Sequence, residues 1–406
     1  MPLLLFFAFD IIIIKYIGSE EKKMIKSFEF LLPTKIIYGI GSLKELNREL
    51  KRFNSKKIMI ITDPKLISLK VTDVLEEILE KEDYLIYSEI EQNPKDYNVT
   101  KAASIAQEEG VDLIIAFGGG SPIDAAKVIA VLAAQGGSIK DYMHKKRVVE
   151  KALPIIAIPT TAGTGSEVTF SSVITDTDEK FKYTVKSPLI AAKVAIVDPT
   201  LTMTVPPTIT ATTGIDALTH AIEGYTSLCA EPIAEALGLS AVSYITGSLE
   251  KAVKEGTNLE ARDNMMIGSL MAGLSFGHSD VGAVHCMAEA LGSIYDAPHG
   301  TCNAVLLPYV MEYNIIKAEK KYANIANYMG VFGPNDLMTA SEGIEHIKIL
   351  SKRIGLPNLR SLNVDPKDFE LLAEMSEKNG STMSNPRVIN KEEYMKIFNR
   401  AYSDSE

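Results

Sequence analysis

Asp216 and His220 stand four residues apart in the run Gly214-Ile215-Asp216-Ala217-Leu218-Thr219-His220-Ala221-Ile222-Glu223. On a helix that spacing puts both side chains on one face, where a carboxylate and an imidazole can hold one ion together. Two more imidazoles follow, His285 and then His299 within Ala297-Pro298-His299-Gly300. The chain has six histidines, and four of them (His220, His278, His285, His299) fall between residues 220 and 299. A single helical histidine is ordinarily just a hydrogen-bonded side chain. One carboxylate and three imidazoles in an apolar setting are another matter: they suit Fe2+ or Zn2+ and fit Mg2+ or Ca2+ poorly. A cation held there would polarise a substrate oxygen and draw an alcohol towards the alkoxide. His285 and Glu289 repeat the four-residue spacing.

A second chemistry lies upstream, in Gly118-Gly119-Gly120-Ser121-Pro122-Ile123-Asp124, between a predicted strand and a predicted helix. Glycines let the backbone approach a phosphate closely. Ser121 is placed to cap the helix, with Pro122 in its first position and Asp124 completing a capping box. The free N–H groups and the positive end of the helix dipole then face the loop, an arrangement that favours a pyrophosphate over a plain tight turn. A second loop, Pro159-Thr160-Thr161-Ala162-Gly163-Thr164-Gly165-Ser166-Glu167, offers hydroxyls and small residues suited to a ribose or nicotinamide. Asp63 ends a strand, where a carboxylate can bind a ribose hydroxyl and repel a 2′-phosphate, favouring NAD over NADP. Asp63-Pro64 is also a common turn pair.

The elements that must position these groups divide the chain. Apolar strand runs at Lys57–Thr62, Asp83–Ser88, Asp112–Phe117, Pro154–Ile158 and Lys193–Val197 alternate with helical patterns around 65–81, 97–109 and from Ser121. Continuous apolar strands separated by helices imply a parallel sheet covered on both faces, which binds ligands beyond the carboxyl ends of its strands. From about residue 208 long Ala-, Leu- and Met-rich helical patterns take over, after a hinge at Val205-Pro206-Pro207. The expected organisation is an α/β dinucleotide-binding domain over residues 24–204 and an all-α metal-binding domain over 205–406, with a cleft between them. Residues 1–23 open with the apolar run MPLLLFFAFDIIII, too short for a membrane span and without the basic start of a signal peptide. They are expected to lie outside the catalytic fold, with Met24 as the native start and Phe28–Leu32 as the first strand.

Composition narrows the partners. The 406 residues are 46% apolar and 23% charged, with a net charge of −10 and a pI near 5.3. No basic run stands out, which argues against nucleic acid. Nothing marks a membrane protein either. Cys229, Cys286 and Cys302 show no CxxC spacing, as expected in a reducing, cytoplasmic compartment. A homo-oligomer, a dimer or larger, is the expected assembly.

Taken together, GGGSPIDAAK (118–127), PTTAGTGSEVT (159–169), DPTLT (198–202), GIDALTHAIE (214–223), VHCMAEALG (284–292) and APHG (297–300) resemble the iron-containing (group III) alcohol dehydrogenase family. That family is related to glycerol dehydrogenase and dehydroquinate synthase, and the resemblance covers roughly residues 26–402. It implies a dehydroquinate synthase-like fold and NAD(P)-dependent interconversion of a small alcohol and its aldehyde or ketone. It further implies that Asp216, His220, His285 and His299 bind the metal, with Fe2+ ahead of Zn2+, and that Gly119, Gly120 and Ser121 carry the pyrophosphate. Asp63 and Asn93 would lie towards the adenosine end, while Thr160, Thr161, Thr164, Thr169, Lys182 and Leu201 match positions that line the nucleotide.

Two positions depart from the family's commonest pattern. Glu289 stands where many members carry a second histidine, a candidate for relaying the alcohol proton, and His278 replaces a usual asparagine. His278 or Glu289 is expected to take the relay role here, unless Glu289 only orients a metal-bound imidazole. A glycerol or polyol dehydrogenase is the nearest alternative activity. A dehydroquinate synthase-like lyase would need Lys and Arg clustered round a phosphate, and residues 214–304 are poor in them. A non-catalytic nucleotide-binding regulator would not need the four ligands, and all are present.

Overall fold

Runs of isoleucine, valine and leucine build the sheet that carries the glycine loops. A computed structural model describes residues 27–404, so the extension at 1–23 lies outside the described residues. Strand β1 (Lys35–Tyr38) and helix α1 (Leu46–Phe53) lead to β2 (Ile58–Ile61), the short α2 (Pro64–Ser68), α3 (Asp73–Leu79) and β3 (Tyr84–Tyr87). Helix α4 (Asp96–Glu108), β4 (Leu113–Gly118), α5 (Gly120–Gln135), α6 (Ile139–Met143) and β5 (Ile155–Pro159) follow. A hairpin of β6 (Ser171–Asp176) and β7 (Phe181–Lys186) precedes β8 (Val194–Val197). Helices then run on as α7 (Pro207–Thr226), α8 (Pro232–Lys254), α9 (Leu259–Ser279), α10 (Ala283–Tyr295) and α11 (His299–Tyr328). The last three are α12 (Asp336–Arg353), α13 (Phe369–Lys378) and α14 (Lys391–Ser403). Among the described residues no helix is long and apolar enough to cross a membrane.

Six strands pair in parallel in the order β1-β8-β5-β4-β2-β3. Strands β2 and β4 are neighbours, yet the chain leaves β2 towards β3 on one side and β4 towards β5 on the other. The switch point therefore falls between the carboxyl ends of β2 and β4, just before Asp63 and Gly119, where such sheets open a ligand crevice. Alternate residues feed two layers, which is why the strands are apolar throughout. Ile58, Ile60, Ile115 and Phe117 pack with Leu46, Leu50, Leu75 and Leu79 of α1 and α3. Met59, Ile61, Ile114 and Ala116 pack with Val99 and Ala102 of α4 and Ile123 and Val128 of α5.

The helical half is seated directly on the sheet. Ile215, Leu218, Leu249, Met265 and Leu306 share one core with Ala195 and Val197 of β8. Gly165, in the loop after β5, has φ +59°, and a Cβ there would lie 2.5 Å from Gly273 Cα on α9. Only glycines allow the hydroxyl-rich loop this close to the helices.

Three elements differ from the sequence reading. Phe28–Leu32 is not a strand; Phe28, Leu31 and Leu32 are exposed, and the first strand is Lys35–Tyr38, on the sheet edge beside β8. The stretch at 65–81 is two helices, interrupted by Lys70 in the left-handed region at φ +55°. The hairpin at 171–186 escaped notice because its strands mix buried Ile174 and Val185 with Ser, Thr, Lys and Asp. Its turn carries Lys180 at φ +50°, without the glycine that usually marks such a turn.

Candidate functional site

Helix α7 presents Asp216 and His220 on one face, α10 presents His285 near its start, and His299 opens α11. One ligand-capable atom from each of the four lies within 4.8 Å of every other. Asp216, His220 and His285 are buried, and His299 is half-buried. Burial lowers the pKa of His220 to about 4 and that of His299 to about 3, overriding the pull of Asp216. Burial works against the charge of Asp216, but the surrounding imidazoles and Asn303 hold its pKa below the usual value. Neutral imidazoles around an ionised carboxylate are the protonation states that take up a divalent cation. The Nε2 atoms of His285 and His299 lie 3.9 and 3.7 Å from Asp216 Oδ1, turned towards one shared point. The donor set fits a divalent iron.

Two residues that the sequence reading left without a role touch this cluster. Glu223 Oε2 accepts a hydrogen bond from His285 Nδ1 at 2.6 Å, and its Oε1 accepts one from the backbone N–H of Val284 at 2.7 Å. The proton is thereby kept on Nδ1, and the Nε2 lone pair is left facing the cluster. Burial disfavours charge on His285, but the Glu223 hydrogen bond and charge outweigh it and raise the imidazole's basicity. Asn303 Nδ2 lies 2.6 Å from Asp216 Oδ1 and within 3.3 Å of the Nε2 atoms of His285 and His299. Helical spacing was the available signal: Glu223 follows Asp216 by two turns of α7, and Asn303 follows His299 by one turn of α11.

All four ligands open into a cleft of about 1710 Å³ between the strands' carboxyl ends and the helices. Pockets for one small ligand measure about 300–1,000 Å³, so this space accommodates a dinucleotide and a substrate together. Gly119, Gly120 and Ser121 border it, as do Thr160, Thr161, Thr164 and Thr169 from the second loop and Leu201 beyond β8. The two loops touch, since a Cβ on Gly120 would lie 2.5 Å from Thr164 Cγ2. Ser121 does not cap α5, contrary to expectation. The helix starts at Gly120, its cap is Gly119, and no side chain makes a cap hydrogen bond. Asp124 turns instead to Ser166 Oγ and to the Val173 N–H at 2.9 Å. An uncapped helix start keeps its N–H groups available to an anion.

Asp63 borders the cleft and also caps α2, accepting from the N–H groups of Lys65 and Leu66 at 2.9 and 3.0 Å. Its turn role is therefore realised. Lys182 Nζ donates to Asn93 Oδ1 at 2.8 Å, and Asn93 Nδ2 donates to Asp296 Oδ1 at 3.1 Å. Burial lowers the pKa of Lys182. Lys127, assigned no role from sequence, is fully buried. Its ammonium donates to Ser166 Oγ at 2.8 Å, Thr169 Oγ1 at 2.9 Å and Ser171 O at 2.6 Å, fastening the second loop to α5.

The structure separates the two relay candidates. Glu289 borders the cleft, its Oε2 accepts from Asn379 Nδ2 at 2.6 Å, and burial raises its pKa despite Lys182 and His285. His278 is not among the residues bordering the cleft. Its Nδ1 faces Leu274 O at 2.7 Å, its Nε2 faces Leu31 O at 2.9 Å, and its ring stacks on Phe30. Arg262 is a buried strut on Gly256 O, Thr210 Oγ1 and Val205 O, at 2.8, 2.7 and 3.0 Å, and not a phosphate clamp.

Known proteins resemble this chain in sequence and in fold. Residues 33–199 match the family model described as iron-containing alcohol dehydrogenase, and residues 210–402 match that of the C-terminal part of the Fe-containing alcohol dehydrogenase family. A 1,3-propanediol dehydrogenase from Citrobacter freundii is 39% identical over 384 residues, covering 93% of this chain and 99% of that protein. An NAD-dependent methanol dehydrogenase from Bacillus methanolicus is 36% identical, covering 92% of this chain and 99% of its own. A solved 1,3-propanediol oxidoreductase superposes with a TM-score of 0.89 at 38% identity, covering 93% of this chain and 100% of that one.

Proposed function

Because the chain belongs to the iron-containing alcohol dehydrogenase family, and so is an oxidoreductase acting on alcohols, we propose that it moves hydride between a small alcohol and NAD within the cleft. The observation that carries this reading is the shared space: the four-residue metal cluster and the uncapped start of α5 open into the same cleft. A divalent iron held by Asp216, His220, His285 and His299 would polarise the alcohol oxygen. NAD, when bound, accepts the hydride.

The chain's own groups do the rest. Backbone N–H groups of Gly120 and Ser121 hold the pyrophosphate, and Asp63 faces a ribose hydroxyl and disfavours NADP. Thr160, Thr161, Thr164, Thr169 and Leu201 line the nucleotide, with Lys182 held by Asn93 beside them. Glu223 keeps His285 in its ligating tautomer. Glu289, steadied by Asn379, takes the alcohol's proton, a role its raised pKa suits and its place on the cleft permits. The relatives named for methanol and for 1,3-propanediol support a small substrate, and the former's name supports NAD. Three unpaired cysteines support a reducing, cytoplasmic setting. The exposed apolar side chains of Phe28, Leu31, Leu32 and Ile40, on either side of the edge strand β1 in sequence, support a homo-oligomer.

The test is metal stripping and reloading, followed by NAD and NADP reduction across a panel of short alcohols and diols. Activity should vanish on stripping, return with Fe2+ and prefer NAD. Full activity after complete stripping would overturn the metal assignment, and equal use of NADP would overturn the role of Asp63.

A further inference from the structure

Lys127 lies two turns into α5, the helix whose uncapped start opens onto the cleft. It has no exposed surface and is not among the residues bordering the cleft. An ammonium has three hydrogens, and each has an acceptor here: Ser166 Oγ at 2.8 Å, Thr169 Oγ1 at 2.9 Å and Ser171 O at 2.6 Å. Asp124, one turn earlier on α5, stands 3.3 Å from the ammonium and balances its charge. That carboxylate also accepts from Ser166 Oγ and from the Val173 N–H at 2.9 Å, while the Asp124 carbonyl accepts from Ser172 Oγ at 2.7 Å. Lys127 has no hydrogen left for a ligand. It acts through the segment 166–173 instead.

The loop leading into that segment, residues 160–165, is wedged between helices. On one side it presses on the start of α5: Cβ atoms on Gly119 and Gly120 would lie 3.2 Å from Thr161 Oγ1 and 2.5 Å from Thr164 Cγ2. On the other side, Cβ atoms on Gly163 and Gly165 would lie 2.7 Å from Thr213 Cβ on α7 and 2.5 Å from Gly273 Cα on α9. One turn beyond these contacts α7 carries Asp216, and α9 carries Phe276, whose ring stacks on His220 at 4.2 Å. The loop therefore spaces the anion-binding start of α5 from the metal cluster. Burial lowers the pKa of Lys127 despite Asp124, and a buried ion pair is weak evidence for stability. What the ammonium supplies is register, through three bonds of fixed direction.

We propose that Lys127 is a positioning residue for hydride transfer: by clamping Ser166, Thr169 and Ser171 to α5, it sets how far the nicotinamide stands from an alcohol at the metal cluster. The inference rests on the NAD-dependent dehydrogenase reading. A misplacement of about 1 Å caused far from the reacting atoms lowers a rate about 10²-fold. Contacts that bind the dinucleotide are spread along the cleft, so affinity should fall less than rate.

Wild type, Lys127→Met and Lys127→Gln are reconstituted with Fe2+ and compared for NADH affinity by fluorescence, for thermal unfolding, and for turnover of the fastest short primary alcohol and its 1,1-dideuterated form. Lys127→Met keeps the length of the side chain and loses every hydrogen bond. Its kcat should fall about 10²-fold, with a smaller loss of NADH affinity and a larger primary deuterium isotope effect, because hydride transfer then limits turnover in place of cofactor release. Lys127→Gln, which keeps one donor group, should show the same changes to a lesser degree. A folded Lys127→Met with wild-type kcat and isotope effect would overturn the proposal. So would a loss confined to NADH affinity, which would make Lys127 a support for binding alone. Should Lys127→Met fail to fold, the glutamine variant decides, and a wild-type isotope effect and kcat there count against the idea. Wild type that neither binds NADH nor oxidises any short alcohol would refute the dehydrogenase reading itself, a result distinct from any change in the variants.

Discussion

Replacing Glu223 by glutamine tests the metal centre through a residue that never touches the ion. The residue is 5% exposed, and its two side-chain oxygens accept from His285 Nδ1 at 2.6 Å and from the Val284 N–H at 2.7 Å. Glutamine keeps the shape but offers one acceptor where two are needed, and it carries no charge. If its oxygen stays on His285, its NH2 faces the Val284 N–H, donor against donor. If its oxygen turns to Val284, its NH2 donates to Nδ1 and drives the ring proton onto Nε2, the atom that faces Asp216. Hydrogen bonds to charged groups contribute about 1.5–3 kcal/mol and neutral ones about 0.5–1.5, so support for the ligating tautomer drops by about 1–2 kcal/mol. At about 1.4 kcal/mol per tenfold change, Fe2+ affinity should fall about 5- to 30-fold. Chelator competition at equilibrium measures it. Glu223→Ala should lose more, because it leaves the Val284 N–H buried and unpaired. An Fe2+ affinity in Glu223→Gln indistinguishable from wild type would refute the reasoning.

Three further outcomes follow from the same geometry. Glu289 must be ionised to accept the alcohol proton, and its pKa is raised by burial, so the oxidation rate should fall as pH drops through that value. In Glu289→Gln the rate should be lower, about 10²- to 10⁴-fold if proton transfer limits it, and this limb of the pH profile should disappear; a limb that persists would reassign the proton to another group. Glu167 is 2% exposed, and burial pushes it up to about 7 from an ordinary 4.5. The folded chain then holds a proton that the unfolded chain releases, so stability should decline as pH rises from about 4.5 to about 7 and level off above. Denaturant unfolding of Glu167→Gln should lack that decline, and an identical slope in both proteins would contradict it. Gly120→Ala would set a Cβ 2.5 Å from Thr164 Cγ2 and should weaken NAD binding, measured by NADH fluorescence, while leaving Fe2+ content unchanged; unaltered NAD affinity would remove the glycine loop from the nucleotide site.

How far the site can be read from sequence depends on whether the contacts that make it are local. Asp216 and His220 were legible because one turn of helix joins them and because histidine is scarce in this chain. The glycine loop was legible because strand, turn and helix adjoin. The cap of α5 was misplaced by two residues, Ser121 for Gly119: Ser121 and Asp124 match a capping box in order, but Asp124 is drawn 42 residues away to Ser166, and a long-range partner overrides a local cap. Glu223 lay inside the same run as the ligands and still went unassigned, since a glutamate near a helix end has many uses and its partner His285 is 62 residues on. Asn303 was hidden in the same way, 87 residues from Asp216. His278 shows the converse. Its departure from a familiar pattern suggested chemistry, yet its surroundings are set by Leu31, 247 residues earlier. What sequence spacing recovers are therefore the donors that share a helix turn. The residues that hold those donors in register come from other helices, and three-dimensional packing alone brings them there. Substituting Glu223 should accordingly change metal affinity without removing any ligand.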